Sequence, residues 1–157
     1  MSENKLTIGI GEFVVSSSCV LEAIGLGSCV AVCLYDKGKK LGGIAHIMLG
    51  KSEGFDVNPM RFADKAIDAM LKELLKKGCK QNNLTAKIFG GASMFSNIKT
   101  SMEIGNNNVN AVKAILKKYG IKIIAEDTGG THGRSVWFDL DNGKVVVSKV
   151  YGPTIEV

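Results

Sequence analysis

Residues 25–49 read GLGSCVAVCLYDKGKKLGGIAHIML. Two apolar runs, 29–35 and 40–49, are separated by Asp36, Lys37, Gly38 and Lys39, residue types that close tight turns. That order predicts an antiparallel hairpin. Ahead of it stands Gly25-Leu26-Gly27-Ser28, a glycine turn that enters a strand. Phosphate-cradling turns instead open a helix, so that its positive end faces the anion. The expected property of this turn is close approach of another molecule to the backbone, not phosphate binding.

Working outward, β-type runs at 6–15 and 20–24 precede the hairpin. After a polar loop at 50–57, Asn58 and Pro59 announce a helix. Its inward face is Phe62, Ala63, Ala66, Ile67, Met70, Leu71, Leu74 and Leu75, and Gly78 is its stop. A strand at 85–89 runs into Gly90-Gly91-Ala92-Ser93. A second helix is expected to start at the Asn106, Asn107, Asn108 cluster and end at Tyr119, with Val109, Val112, Ile115 and Leu116 inward. A strand at 121–125 follows, then a hairpin of 134–140 and 144–150 across Asn142-Gly143. The expected class is mixed α/β (α+β): largely antiparallel sheet with flanking helices, in a single domain over residues 1–157.

Composition narrows the function classes. With 157 residues, 45% hydrophobic and 22% charged, the chain is neither disordered nor a coiled coil. No apolar run is long enough to span a membrane, and the first residues lack a secretory leader pattern, so a cytoplasmic location is expected. The net charge of +5 comes from 18 Lys and two Arg, Arg61 and Arg134. Arg is the usual choice for bidentate phosphate and base contacts, and the lysines are spread over helix faces, so no nucleic-acid partner is expected.

The four cysteines show no zinc-type spacing, and a reducing compartment argues against disulfides; neither metal nor organic cofactor is expected. Cys29 and Cys33 would lie about 13 Å apart along a strand, too far for one ion to bridge easily. Cys19, Cys33 and Cys79 read as buried structural thiols. Cys29 differs because the glycine turn beside it presents successive N–H groups, an arrangement that can hold an oxyanion. A thiol nucleophile needs a base. With the turn centred near Gly38, residues whose numbers sum to 75 or 76 oppose each other, which sets Cys29 near His46. Taken alone, His46 reads first as a satisfied core histidine; its cross-strand coincidence with Cys29 brings the catalytic reading level with that one. His132, between glycines, reads as an exposed loop residue.

Four segments in order, Gly25-Leu26-Gly27-Ser28-Cys29-Val30, Ala45-His46-Ile47-Met48-Leu49, Gly90-Gly91-Ala92-Ser93-Met94-Phe95, and Ala125-Glu126-Asp127-Thr128-Gly129-Gly130 with Gly133-Arg134-Ser135-Val136, resemble the CheD family of chemoreceptor glutamine deamidases. The resemblance implies a sandwich similar to the catalytic domain of the cytotoxic necrotizing factor toxins. It implies hydrolysis of glutamine side chains in methyl-accepting chemotaxis receptors to glutamate, with release of ammonia. It also implies binding to CheC, a response-regulator phosphatase. Cys29 matches the family's nucleophile and His46 its base, with Gly27 and Ser28 in the oxyanion turn and Ser93 and Thr128 as candidate site-shaping residues. Two departures stand out. Ala23 occupies the position of a threonine that orients the histidine in relatives, which implies a slower enzyme. Asn107 replaces a residue often basic in relatives, which puts an anion or CheC contact there in doubt. The alternative is a regulatory binding module for CheC and receptors; esterase action on methylated glutamates would use the same thiol.

Overall fold

The computed structural model describes residues 4–48, 58–93 and 98–157, with side chains from residue 104 onward in the last segment. The strands are β1 (Lys5–Ile8), β2 (Phe13–Ser17), β3 (Val20–Leu26), β4 (Val30–Asp36), β5 (Leu41–Ile47), β6 (Leu84–Gly90), β7 (Lys122–Thr128), β8 (Arg134–Asp139), β9 (Val145–Lys149) and β10 (Thr154–Glu156). Two α-helices, α1 (Ala63–Lys76) and α2 (Ile98–Lys118), and two short 3-10 segments, Pro59–Arg61 and Gln81–Asn83, complete the described elements. One sheet has the order β1-β3-β8-β9-β10, the other β2-β5-β4-β6-β7. Each contains one parallel pair, β1 with β3 and β6 with β7; the remaining pairs are antiparallel. The class is mixed α/β, as the sequence implies.

The layering follows from side-chain alternation. Every residue of β4 is buried, because both faces of this central strand are covered. Val30, Val32 and Leu34 join Ala45 and Ile47 of β5 in a core shared with Ile67, Met70 and Leu74 of α1 and Val112 and Leu116 of α2. On the other face Ala31, Cys33 and Tyr35 meet Leu21, Ala23, Val136, Phe138 and Val147 of the facing sheet. The order is sheet, sheet, helices.

Several sequence expectations shift. The run 6–15 is two strands in different sheets, split by a turn in which Glu12 N–H donates to the Gly9 carbonyl. Asn58 does cap a helical turn, accepting from Met60 N–H, but the turn is a three-residue 3-10 segment; extended Phe62 separates it from α1. Helix α2 begins at Ile98, so the Asn106–Asn108 cluster lies within it. Asparagine is a mediocre helix former in isolation, and tertiary bonding overrides that preference here. Strand β10 has no counterpart in the sequence reading. Leu49, residues 50–57, Met94 and Phe95 lie outside the described residues.

Candidate active site

The hairpin forms with its turn one residue later than expected. Asp36 pairs with Leu41, Ala31 with His46 and Val30 with Ile47, a constant sum of 77. Residues directly opposite share a face, so the His46 side chain lies on the side of Ala31, toward the facing sheet. Cys29, two residues before Ala31, belongs to the same inter-sheet cluster. Thiol and imidazole are therefore diagonal neighbours on one face.

Cys29 stands just beyond the end of β4, where the ladder opens. Its carbonyl accepts from Gly91 N–H at 2.9 Å, and the Gly27 carbonyl accepts from Ala92 N–H at 2.8 Å. The approach is close enough to require glycine: a Cβ on Gly90, whose φ is +113°, would sit 2.1 Å from the Cys29 carbonyl oxygen. On the other side, the Ser28 carbonyl accepts from Asn108 Nδ2 at 2.9 Å. Three consecutive carbonyls are thus anchored. In a trans peptide the C=O and the following N–H point in opposite directions, so the Ser28 N–H is turned away from Ala92 and the Cys29 N–H away from Asn108.

His46 lies in the interior at 2% exposure, and among the described residues neither ring nitrogen has a hydrogen-bond partner. Its backbone is fixed by an irregular pair: Gly11 N–H donates to the His46 carbonyl and His46 N–H to the Glu12 carbonyl, both at 3.0 Å, with Gly11 at φ +76°. This is a G1-type bulge, two residues facing one, a device that re-aims side chains beside functional sites. Burial pushes the imidazole below its ordinary value, and the Glu12 carboxylate works against that shift. Burial pushes the Cys29 thiol up, opposed by its own backbone N–H. Both shifts favour the neutral forms, a thiol and an uncharged imidazole.

The remaining sequence candidates separate clearly. Ala23, fully buried on β3, is in the same inter-sheet cluster as Cys29, so the missing hydroxyl would have entered this interior. Just after it, the β3–β8 register shifts between Ala23 and Leu26, and Gly25 N–H donates to Ser135 Oγ. Ser93 is buried, its N–H donating to the Gly130 carbonyl, while Gly129 N–H donates to the Gly90 carbonyl. The 129–130 loop thereby braces the segment that braces Cys29. Arg134, 3% exposed, holds that loop through Asp127 and the Gly129 carbonyl, and Lys149 makes a second ion pair with Asp127. Thr128 gives its hydroxyl to Glu126. His132 is an exposed loop residue against Tyr151, and Asn107 is exposed on α2.

Asn108 and Glu12 escaped the sequence reading. For Asn108 a signal existed: it shares the inward helical face with Gly105, Val109 and Val112, and a carboxamide there needs partners. Glu12 carried no comparable signal. Among the described residues no group of three or more His, Cys, Asp or Glu could hold a metal ion.

The family described as CheD chemotactic sensory transduction matches residues 48–149. A Thermotoga maritima protein named chemoreceptor glutamine deamidase CheD is 49% identical over 149 residues, covering 94% of each chain. A Pyrococcus abyssi protein named probable chemoreceptor glutamine deamidase CheD is 43% identical over 152 residues, covering 94% of this chain and 93% of its own. Among solved structures, the Bacillus licheniformis hypothetical protein YfiH aligns with a TM-score of 0.47 at 13% identity, covering 80% of this chain and 59% of that one.

Proposed function

The chain belongs to the CheD family, and from that premise we propose how its residues carry out the reaction: Cys29 attacks a glutamine side chain of a chemoreceptor and His46 moves the protons. The protein is a chemoreceptor glutamine deamidase, an amidohydrolase acting on a protein side chain. The carrying observation is that Cys29 and His46 share one face where β4 and β5 part, with both imidazole nitrogens uncommitted among the described residues.

The steps follow from the geometry. Substrate entry displaces water, and neutral His46 takes the thiol proton as the sulfur bonds to the amide carbon. Charge develops on the carbonyl oxygen, where the N–H side of the Gly27–Cys29 turn, the Cys29 N–H first, stabilises it. The C–N bond breaks as imidazolium returns the proton to nitrogen, and ammonia leaves. Water, deprotonated by His46, then attacks the thioester; the carbon–sulfur bond breaks, giving glutamate and the free thiol.

The reading extends to a cytoplasmic protein acting as one domain over residues 1–157, with CheC as a regulatory partner. No helix among the described residues is long and apolar enough to cross a membrane, and the core between the sheets joins elements from both ends of the chain. The test incubates purified protein with a receptor cytoplasmic fragment and maps Gln-to-Glu conversion by mass spectrometry, with and without CheC. Conversion that persists in Cys29→Ala would remove the proposed nucleophile, and conversion indifferent to CheC would remove the partner.

A further inference from the structure

Beyond Ile47 the β4–β5 ladder stops: Met48 N–H turns away to donate to the Arg61 carbonyl, and Cys29 turns toward Gly91. Among the described residues, one side chain bridges the two strand ends where they part. Asn108 of α2, 3% exposed, donates from Nδ2 to the Ser28 carbonyl and to the Met48 carbonyl, each at 2.9 Å. Both hydrogens of the amide group are used, one on each parted strand.

The reach of so short a side chain depends on the packing of α2. A Cβ on Gly105, one turn earlier, would lie 2.5 Å from the Gly91 carbonyl oxygen, so the helix backbone rests on the glycine segment that braces Cys29. From there Asn108 reaches the next peptide along. We propose that Asn108 is a positioning residue for the deamidation: its carboxamide fixes the Ser28–Cys29 peptide plane, and thereby aims the Cys29 N–H at the developing oxyanion. The physical reason is the opposed directions of C=O and N–H in one peptide. With the Ser28 carbonyl tied toward α2, the N–H of the same peptide unit faces the opposite way; untied, the plane is free to rotate between flanking bonds. A donor already in place stabilises the transition state without reorganisation.

The inference rests on the nucleophile and oxyanion turn proposed above, and the experiment separates the two. Wild type, Cys29→Ala, Asn108→Ala and Asn108→Ser are compared for steady-state ammonia release from a receptor fragment, for alkylation of Cys29 by iodoacetamide, and for thermal unfolding. Alkylation forms no oxyanion, so it reads thiol access and basicity apart from any stabilisation of the developing oxyanion. For Asn108→Ala, kcat is expected to fall about 10- to 100-fold with KM little changed, since a transition-state contact is lost. Alkylation is expected to stay near the wild-type rate, and Asn108→Ser, which retains one donor, to recover part of kcat. Undiminished kcat in Asn108→Ala, with Cys29→Ala inactive, overturns the positioning role alone. Equal losses in kcat and alkylation, or failure of both Asn108 variants to fold, make the carboxamide a structural strut and also overturn it. Activity in Cys29→Ala removes the premise instead.

Discussion

Cys29 and Cys33 point to the same side of one strand line, four residues apart, yet their surroundings make them different chemical groups. Cys33 is 1% exposed, with the ladder closed on both sides by Ile44 of β5 and Lys87 of β6. It borders a cavity of about 230 Å³ walled by Tyr35, Phe138 and Lys87. The Tyr35 hydroxyl is committed to the Leu140 carbonyl, and Lys87 Nζ to the Gly143 and Val157 carbonyls, all within 3 Å. Full burial drives the Cys33 thiol far above its ordinary value, with Lys87 only partly offsetting it. Cys29 stands where both neighbouring ladders end, its carbonyl held and diagonal to it an imidazole whose nitrogens have no partner among the described residues. What sets the proposed nucleophile apart from Cys33 is that the ladders end beside it, not its residue type.

That contrast can be broken most sharply by exchanging the two thiols' fates. Cys29→Ala is expected to lower ammonia release by at least about 10⁴-fold, as loss of a covalent nucleophile does; a Cys33→Ala protein should keep its activity. Near-equal losses in the two variants, measured on folded protein, would erase the distinction. Next in size, His46→Gln should reduce kcat by about 10²- to 10⁴-fold, the range for general acid–base catalysis, and a residual rate close to wild type would assign the base elsewhere.

The protonation states sharpen the comparison further. In the free protein, Cys29 alkylation should rise with pH through a midpoint above 9.0, because burial raises the thiol and no ion pair lowers it. A reactivity plateau reaching below neutral pH would instead reveal a resting thiolate–imidazolium pair. For deamidation the acid limb should lie below 6.5, since His46 must be neutral to accept the proton and burial depresses its value. The same sign holds for stability: below about pH 6.5 the unfolded state binds a proton that folded His46 resists, so stability decreases as the pH drops from there to the folded value.

Smaller effects follow at the two silent positions. Ala23→Thr should raise kcat several-fold by supplying a hydroxyl for His46, while lowering the unfolding temperature because two atoms enter a packed site, at a cost of about 1–3 kcal/mol. An unchanged or reduced kcat would detach position 23 from catalysis. Cys33→Ser should leave kcat alone and destabilise the fold by about 1–3 kcal/mol through a buried hydroxyl, read by denaturant midpoint; a fall in kcat instead would tie Cys33 to the site.

Local signals carried the hairpin well. Asp36-Lys37-Gly38-Lys39 located the turn to within one residue, and the expected pairing sum of 75 or 76 set Cys29 near His46; the observed sum of 77 puts Ala31 opposite His46 instead and leaves Cys29 diagonal to it. The same reasoning merged residues 6–15 into one strand, since periodicity does not reveal that a chain changes sheets across Gly9–Glu12. It also began the second helix at an asparagine cluster, reading a weak helix former as a boundary when one of those residues, Asn108, is held inside the helix by two distant carbonyls.

From the chain alone came the residue types of the chemistry, their order, the mixed class and the family resemblance, all of which depend on neighbours in sequence or on regular repeats. The tertiary structure alone decided where the ladder parts, that Gly90 and Asn108 grip the turn from opposite sides, and that burial biases thiol and imidazole toward their neutral forms. Those properties arise from burial and from hydrogen bonds between residues up to 80 positions apart, and no local pattern encodes the dielectric surroundings or the meeting of such distant groups.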